Sequence, residues 1–357
     1  MKVLHVVESF AGGVYDFLKI LTKHQPDVNH VIVHGFRADT PSEYADDFGD
    51  QVTFLSWPEA VDAIHPLRDF EAFLALRRIV KEEEPFDILH LHSSKAGFLG
   101  RLVARQLGIS SKTLYTSHGV SFIRQDISKI KKAFFVFLEK IAARTGGTVV
   151  ACSPSEKEAF RRHGIPAITV PNGIECEKMP PQQTSKEIVI VATAGRITPA
   201  KGPELFDAVA RKLENRRDIR FLWIGEGEAQ DRLDADNIEI TGWLKGNDFC
   251  DTFSKIDIYL STSKWEGLPL AVLKAMCLGK PLILSRCIGN VDLVQNNGYL
   301  YDKIDEAVQK IVELAENRTL CKKLGSASRE LLAHRYTADK TAKSYLDLYG
   351  KMKKTDR

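Results

Sequence analysis

At 357 residues the chain is longer than one hydrophobic core ordinarily supports, so about two domains are expected, each able to bury a sizeable interior. Hydrophobic residues at 44% and charged residues at 27% exclude a disordered or fibrous chain. With 50 Lys plus Arg against 47 Asp plus Glu, the net charge of +3 gives no bulk attraction for nucleic acid.

The chain opens on a short apolar run, Val3 to Val7, far below the roughly 18 apolar residues of a membrane span and without a cleavage-site pattern. Amphipathic stretches at Val14–Lys23, Asp69–Lys81, Gly97–Leu107 and Ile130–Arg144 alternate with further runs at Val31–Val33, Ile88–Leu91, Thr113–Tyr115 and Val149–Ala151. That rhythm predicts a doubly wound parallel sheet over residues 1–170, with Phe70, Phe73, Leu74 and Val80 on one side of their helix. Residues 171–187, opening on the turn signal Pro171-Asn172-Gly173 and containing the aperiodic Met179 to Ser185, are expected to be a linker. The same rhythm restarts over 188–335 with Ile188–Ala194, Arg220–Ile224, Ile238–Thr241, Ile258–Leu260 and Pro281–Ser285 as strands and Pro203–Leu213 and Pro269–Leu278 as helices. Polar helices follow at Asp305–Asn317, Thr319–Ala333 and Thr337–Lys351, the last ending in a basic tail. The six cysteines, Cys152, Cys176, Cys250, Cys277, Cys287 and Cys321, show no C-x-x-C pair or metal-ligand spacing, which reads most simply as a reducing, cytoplasmic setting without a membrane anchor.

In open parallel sheets ligands bind at the carboxyl ends of the strands, so the residues just after each apolar run are the informative ones. Gly12-Gly13 opens a helix after the first strand, where backbone amides can approach an anion, or where the glycines simply make a tight turn. Gly195-Arg196 and then Lys201-Gly202 bring a planar fork and a point charge to one strand-to-helix turn, a pairing suited to a diphosphate, with solvated surface cations as the plainer alternative. Glu266 in Ser263-Lys264-Trp265-Glu266-Gly267-Leu268-Pro269 can accept hydrogen bonds from sugar hydroxyls while the amides of Gly267 and Leu268 meet phosphate, or it can merely cap the next helix. His118, after the fourth of these strands, is placed to contact a sugar hydroxyl or a leaving phosphate.

Together these residues resemble glycosyltransferase family 4, retaining enzymes of the GT-B fold, and the resemblance covers nearly the whole chain. The stretches that carry it are Asp87 to Gly97, Tyr115-Thr116-Ser117-His118-Gly119, Gly195-Arg196 to Lys201-Gly202, Ile224-Gly225-Glu226-Gly227, Thr241-Gly242-Trp243 and Ile288 to Gly298. The last of these is similar to the segment that closes the family's donor site, particularly in enzymes of surface polysaccharide assembly. The resemblance implies an α/β chain of two Rossmann-like domains facing a central cleft: an acceptor-binding domain at 1–170, a nucleotide-sugar-binding domain at 188–335, and a helix at 336–357 that crosses back to the first. It implies catalytic roles for His118, Arg196, Lys201 and Glu266. Donor contacts would come from Gly12, Gly13, Arg196, Lys201, Gly225, Gly242, Trp243, Glu266, Gly267, Leu268 and Lys274, and acceptor contacts from His92, Lys95 and His118. One departure is plain: the family's Glu, seven residues, Glu signature is here Glu266 and Lys274. A lysine has donors only and cannot reproduce the second carboxylate's bonds to ribose hydroxyls.

The expected reaction is transfer of a sugar from a nucleotide diphosphate, a UDP-sugar, to a glycan or lipid-linked glycan with retention at the anomeric carbon. Arg196, Lys201 and helix amides would stabilise the departing diphosphate in place, so no cofactor or metal is expected. The chain is also read as lacking an Asp-x-Asp cluster suited to Mg²⁺. Lys129, Lys131 and Lys132 before Phe134, Phe135 and Phe137 either lie against an anionic membrane, making the association peripheral, or belong to an ordinary packed helix with a solvated basic end. Two alternatives stay open, a non-catalytic sugar-nucleotide-binding partner subunit and a sugar-nucleotide epimerase of the same fold. A nicotinamide-dependent dehydrogenase fits poorly, because Ser9-Phe10-Ala11-Gly12-Gly13 is not G-x-G-x-x-G and His34-Gly35 ends its strand without an acidic residue.

Overall fold

Lys2–Val7 (β1), Ile88–His92 (β4) and Thr113–Thr116 (β5) are short runs buried on both faces, as strands covered by helices on each side must be. A computed structural model of the chain, which describes residues 1–37, 39–60, 65–176, 188–244 and 246–355, places them in a seven-stranded parallel sheet. Asn29–His34 (β2), Val52–Ser56 (β3), Thr148–Ala151 (β6) and Ile168–Thr169 (β7) complete it in the order β3-β2-β1-β4-β5-β6-β7. A second parallel sheet, of six strands, joins Val189–Ala194 (β8), Ile219–Ile224 (β9), Ile238–Ile240 (β10), Ile258–Ser261 (β11), Leu282–Ser285 (β12) and Gly298–Tyr301 (β13) in the order β10-β9-β8-β11-β12-β13.

The chain divides into two compact units, one of residues 1–123, 127–173 and 338–357 and one of 124–126 and 174–337. The helices of the first are Gly12–Lys23 (α1), Pro66–Glu82 (α2), Ser94–Leu107 (α3), Lys129–Arg144 (α4) and Pro154–Arg162 (α5). Those of the second are Pro203–Arg211 (α6), Gly246–Ser254 (α7), Leu270–Cys277 (α8), Ile304–Glu316 (α9) and Arg318–Arg335 (α10). The last helix, Ala338–Thr355 (α11), belongs to the first unit, where Ala342, Tyr345, Tyr349 and Met352 enter the core that also holds Val3, Leu18 and Ile88. Polar ties fix its register: Gln25 Nε2 donates to the Ala342 carbonyl at 2.8 Å, Thr341 Oγ1 to the Pro171 carbonyl at 2.9 Å, and Lys353 pairs with Asp87 at 2.8 Å.

Some elements differ from the sequence reading. The edge strands β3, β7 and β13 and the short polar helices α5 and α7 escaped it, because an edge strand is not apolar on both faces and a nine-residue helix has little room for a period. Helix α2 buries Ala72, Leu76 and Val80 and leaves Phe70 and Leu74 exposed, the reverse of the expected face for those two residues. Apolar residues lie on both sides of this helix, so periodicity could not choose between them. Cys176 and Cys277 are joined by a disulfide across 101 residues of sequence, a pairing that their spacing did not foretell and that departs from the expectation of reduced thiols. The expected linker core, Met179 to Ser185, lies outside the described residues.

Candidate functional site

Each sheet reverses its strand order once, between β1 and β4 in the first and between β8 and β11 in the second. At such a switch point the loops leaving the two strands diverge and open a crevice at their carboxyl ends. Most of the candidate residues fall at these two places.

In the second unit Gly195 follows β8 with φ +132°, and a Cβ there would lie 3.4 Å from Lys201 Cε, so the chain passes close beneath the lysine side chain. Lys201 Nζ meets Glu266 Oε1 at 2.7 Å, and Ser263 Oγ donates to the same oxygen at 2.7 Å. Burial pulls the Lys201 ammonium toward neutrality, but the charge and hydrogen bond of Glu266 outweigh it and hold its pKa above the ordinary lysine value. Glu266 therefore does not cap α8, whose N-cap is Pro269 without a side-chain bond. Gly225 runs tightly against Gly195, and Trp223 Nε1 donates to the Gly195 carbonyl at 2.9 Å. Gly225 bridges Gly242, and Trp243 beside it is 52% exposed. Arg196 lies partly exposed and pairs with Glu228 at 3.3 Å. Gly267 and Leu268 continue the turn after Glu266, with Leu268 buried. Lys274 stands over the Phe249 ring, its Nζ 4.8 Å from the centroid, a cation–π contact from α8 to α7.

Gly289, in the segment expected to close the donor site, has φ +86°, and a Cβ there would lie 2.7 Å from the Gly267 carbonyl and 2.9 Å from Glu266 Cβ. Gly289→Ala is therefore expected to displace the Glu266 turn, lowering donor turnover roughly tenfold or more while the second unit stays folded. Steady-state kinetics beside a thermal melt would check this, and wild-type kinetics would refute it.

In the first unit α1 begins at Gly12, which has φ +56°, and open space surrounds the Cβ positions of both Gly12 and Gly13. Lys95, at the start of α3, pairs with Asp69 at 2.7 Å, and the buried Glu8 accepts from the backbone N–H groups of Lys95 and Ala96 at 3.3 and 3.1 Å. His92 is fully buried in β4 and His118 is partly exposed, so the two candidate histidines differ in access. Their rings join at 3.1 Å, His92 Nδ1 to His118 Nε2. The second His118 nitrogen, Nδ1, lies 3.7 Å from Cys152 Sγ. His118 has φ +52°, a conformation that costs a non-glycine residue energy and needs support from its surroundings. Glu156 supplies it: its carboxylate accepts from the N–H groups of Gly119 and Val120, each at 2.9 Å, and of Cys152 at 2.7 Å. Burial lifts the Glu156 pKa, and these N–H donors act against that.

Sequence reasoning passed over Glu8, Glu156, Ser263 and the buried histidines His5 and His30. Only the histidines carried a signal, the period-two pair His90 and His92 in register with β1, where His5 sits opposite His90. His5, His90 and His92 each bring one ligand atom within 4.8 Å of the others, a separation compatible with a metal ion. Their ring nitrogens have protein partners: His5 binds His92 and His30, and His90 binds Tyr349 Oη and Thr116 Oγ1 at 2.7 and 2.8 Å. The sequence holds one Asp-x-Asp, Asp234-Ala235-Asp236, which bears on the reading that the chain lacks such a cluster suited to Mg²⁺. It precedes the edge strand β10, which β9 separates from the switch-point strand β8, and Asp234 pairs there with Arg211 of α6 at 3.1 Å.

Residues 13–173 match the family model described as a glycosyl transferase 4-like domain, and residues 188–317 match that of glycosyl transferases group 1. The chain belongs to the group 1, family 4-like glycosyltransferases. This glycosyltransferase is 27% identical over 333 residues to the UDP-Gal:alpha-D-GlcNAc-diphosphoundecaprenol alpha-1,3-galactosyltransferase of Escherichia coli, covering 85% of the chain and 83% of the relative. It is 28% identical over 248 residues to the O-antigen biosynthesis glycosyltransferase WbnH of Escherichia coli, covering 67% and 70%. In fold the glycosyltransferase is similar to sucrose-phosphate synthase of Thermosynechococcus elongatus, with a TM-score of 0.81 at 16% identity over 99% of both chains. It is likewise similar to Anabaena HepE in complex with UDP and glucose, with a TM-score of 0.77 at 16% identity over 98% and 100% of the two chains. The architecture is therefore that of GT-B glycosyltransferases.

Proposed function

We propose that the protein transfers a sugar, with retention, from a UDP-sugar to a lipid-linked glycan in surface polysaccharide assembly. The observation that carries this reading is the Lys201–Glu266 pair at the switch point of the second sheet. A carboxylate held ready for sugar hydroxyls and an ammonium ready for phosphate already neutralise one another, and a diphosphate arriving at Lys201 frees Glu266 to accept from the sugar. Lys201, Arg196 and the backbone amides near Gly202 and Gly267 stabilise the negative charge of the leaving diphosphate without themselves exchanging protons. The galactosyltransferase relative names a UDP-sugar and a diphosphoundecaprenol acceptor, which supports the choice of both substrates. Donor hydrolysis across a panel of nucleotide sugars, without added metal, tests the reading. Turnover of one UDP-sugar that disappears in Glu266→Ala supports it; nucleotide binding without hydrolysis or transfer favours a non-catalytic partner subunit, and an isomerised donor favours an epimerase. Activity lost to chelation and restored by a divalent ion would overturn the metal-free mechanism.

A lipid-linked acceptor calls for a surface that meets a bilayer. No helix among the described residues is long and apolar enough to cross a membrane. Helix α4 carries Ile130, Phe134 and Phe137 exposed at 84%, 44% and 57%, beside Lys129, Lys131 and Lys132. Helices α2 and α4 both pack on α3, and α2 adds the exposed Leu67, Phe70 and Leu74. The expected occupant of this face is an anionic membrane surface, each lysine near it adding about 1 kcal/mol. Replacing the three lysines by alanine is expected to lower binding to anionic liposomes by at least tenfold in a sedimentation assay, and unchanged binding would remove the electrostatic part of the proposal.

A further inference from the structure

Four imidazoles in the first unit form an unbroken hydrogen-bonded chain. His30 Nδ1 and His5 Nε2 are 3.0 Å apart, His5 Nδ1 and His92 Nε2 3.0 Å, and His92 Nδ1 and His118 Nε2 3.1 Å. His5, His30 and His92 are fully buried on β1, β2 and β4. A neutral imidazole has one N–H and one acceptor nitrogen, so a bond between two such rings fixes both tautomers together. A chain of them has only two consistent states, every ring protonated on Nε2 or every ring protonated on Nδ1.

The two ends choose between these states. At the inner end His30 Nε2 is buried without a hydrogen-bond partner; besides the burial that lowers the ring's pKa, the Gln25 backbone carbonyl acts on it as an acceptor and the N-terminal ammonium opposes its charged form. An acceptor there favours a proton on Nε2. At the outer end burial keeps Cys152 a thiol, and the backbone N–H of His118 and the side chain of Asn172 act on its sulfur as donors. Its own proton is then available to His118 Nδ1, at 3.7 Å. Both ends select the same direction of donation, from Cys152 through His118, His92 and His5 to His30.

We propose that His30, His5 and His92 are positioning residues that hold His118 neutral and protonated on Nε2, so that its Nδ1 is an acceptor for a hydroxyl group of the substrate. The role toward substrate rests on the transferase reading above; the tautomer does not. A thiol at 3.7 Å is a weak partner, and a sugar hydroxyl donating to Nδ1 can displace it at little loss. The site would then select a substrate with a hydroxyl at this position over its deoxy analogue, since the analogue leaves Nδ1 with only the thiol.

The test is long-range ¹H–¹⁵N correlation on protein labelled with ¹⁵N-histidine at pH 7, with rings assigned by single replacements. The expected spectrum shows Nε2–H with a pyridine-type Nδ1 for His5, His30, His92 and His118. His118 protonated on Nδ1, or cationic, would overturn the proposal whether or not any donor is turned over. In His5→Phe the His92 Nε2 loses its acceptor, and a buried N–H without a partner is disfavoured, so His92 and His118 are expected to move to Nδ1–H in most molecules. The kcat/KM for the sugar donor should then fall about tenfold, equivalent to about 1.4 kcal/mol. A His118 tautomer unchanged in this variant refutes control by the chain, and a changed tautomer with unchanged kcat/KM refutes its link to substrate. If His5→Phe does not fold, the wild-type spectrum still decides the tautomer, and His30→Phe, at the far end of the chain, supplies the kinetic comparison.

Discussion

Glu266→Ala is expected to lower donor turnover by about 10² to 10³, the loss that follows removal of one preorganised polar contact to a transition state. Lys201 and Ser263 both bond to Glu266 Oε1 at 2.7 Å, so the variant removes the group that keeps the lysine side chain in place. It also leaves an ammonium, 23% exposed, without its counter-charge. The second unit is therefore expected to lose about 2 kcal/mol of stability, less than for a fully buried pair because water still reaches this one. Glu266→Gln separates the two effects, since the amide oxygen can keep the bond from Ser263 but carries no charge. Steady-state hydrolysis of the donor and a urea titration of each variant give the two numbers. A Glu266→Ala enzyme with more than half of wild-type turnover would remove Glu266 from the mechanism.

Acid is expected to unfold the first unit well before its carboxylates titrate. Burial lowers the pKa of His118 to about 3 and of His30 to about 4, and it pushes His5, His90 and His92 well below the usual histidine value. In the unfolded chain these rings return to about 6.5. Below that pH the unfolded state binds protons that the native state excludes, so the stability is fully present well above pH 6.5 and is lost as pH falls toward the native values. Each ring contributes a slope of about 1.4 kcal/mol per pH unit at its steepest, and a handful acting together match the whole stability of a domain within one or two units. Urea midpoints measured at pH 7.5, 6.5 and 5.5 should therefore fall modestly over the first interval and about three times as much over the second. A midpoint that is flat down to pH 5.5 would mean that the cluster accepts protons while folded, which would also remove the neutral chain proposed for His118.

Much of the architecture was legible in the residues. Runs such as Val3–Val7, apolar but for His5, and Ile258–Leu260 are almost continuously apolar because both faces of a parallel strand are covered, and few other local patterns look like this. Lys201, Glu266 and His118 stand out in the sequence for a related reason, since polar groups in the loops that follow such runs lie at the carboxyl ends of the strands. The edge strand Val52–Ser56 and the exposed face of α2 were not legible, because there the pattern follows from what packs against each side and not from the segment itself.

The sequence by itself therefore determined the two-sheet plan and which loops leave the carboxyl ends of the strands, as both depend on local periodicity and strand ends. Only the tertiary structure decided what those residues bond to. Lys201 and Glu266 lie 65 positions apart and His5 and His92 lie 87 apart, so their bonds depend on strand order and register. The same holds for Tyr349, which reaches His90 across 259 positions because α11 packs in the first unit's core. A hydrogen bond needs its atoms within about 3 Å, and over such separations only the packed fold brings them that close.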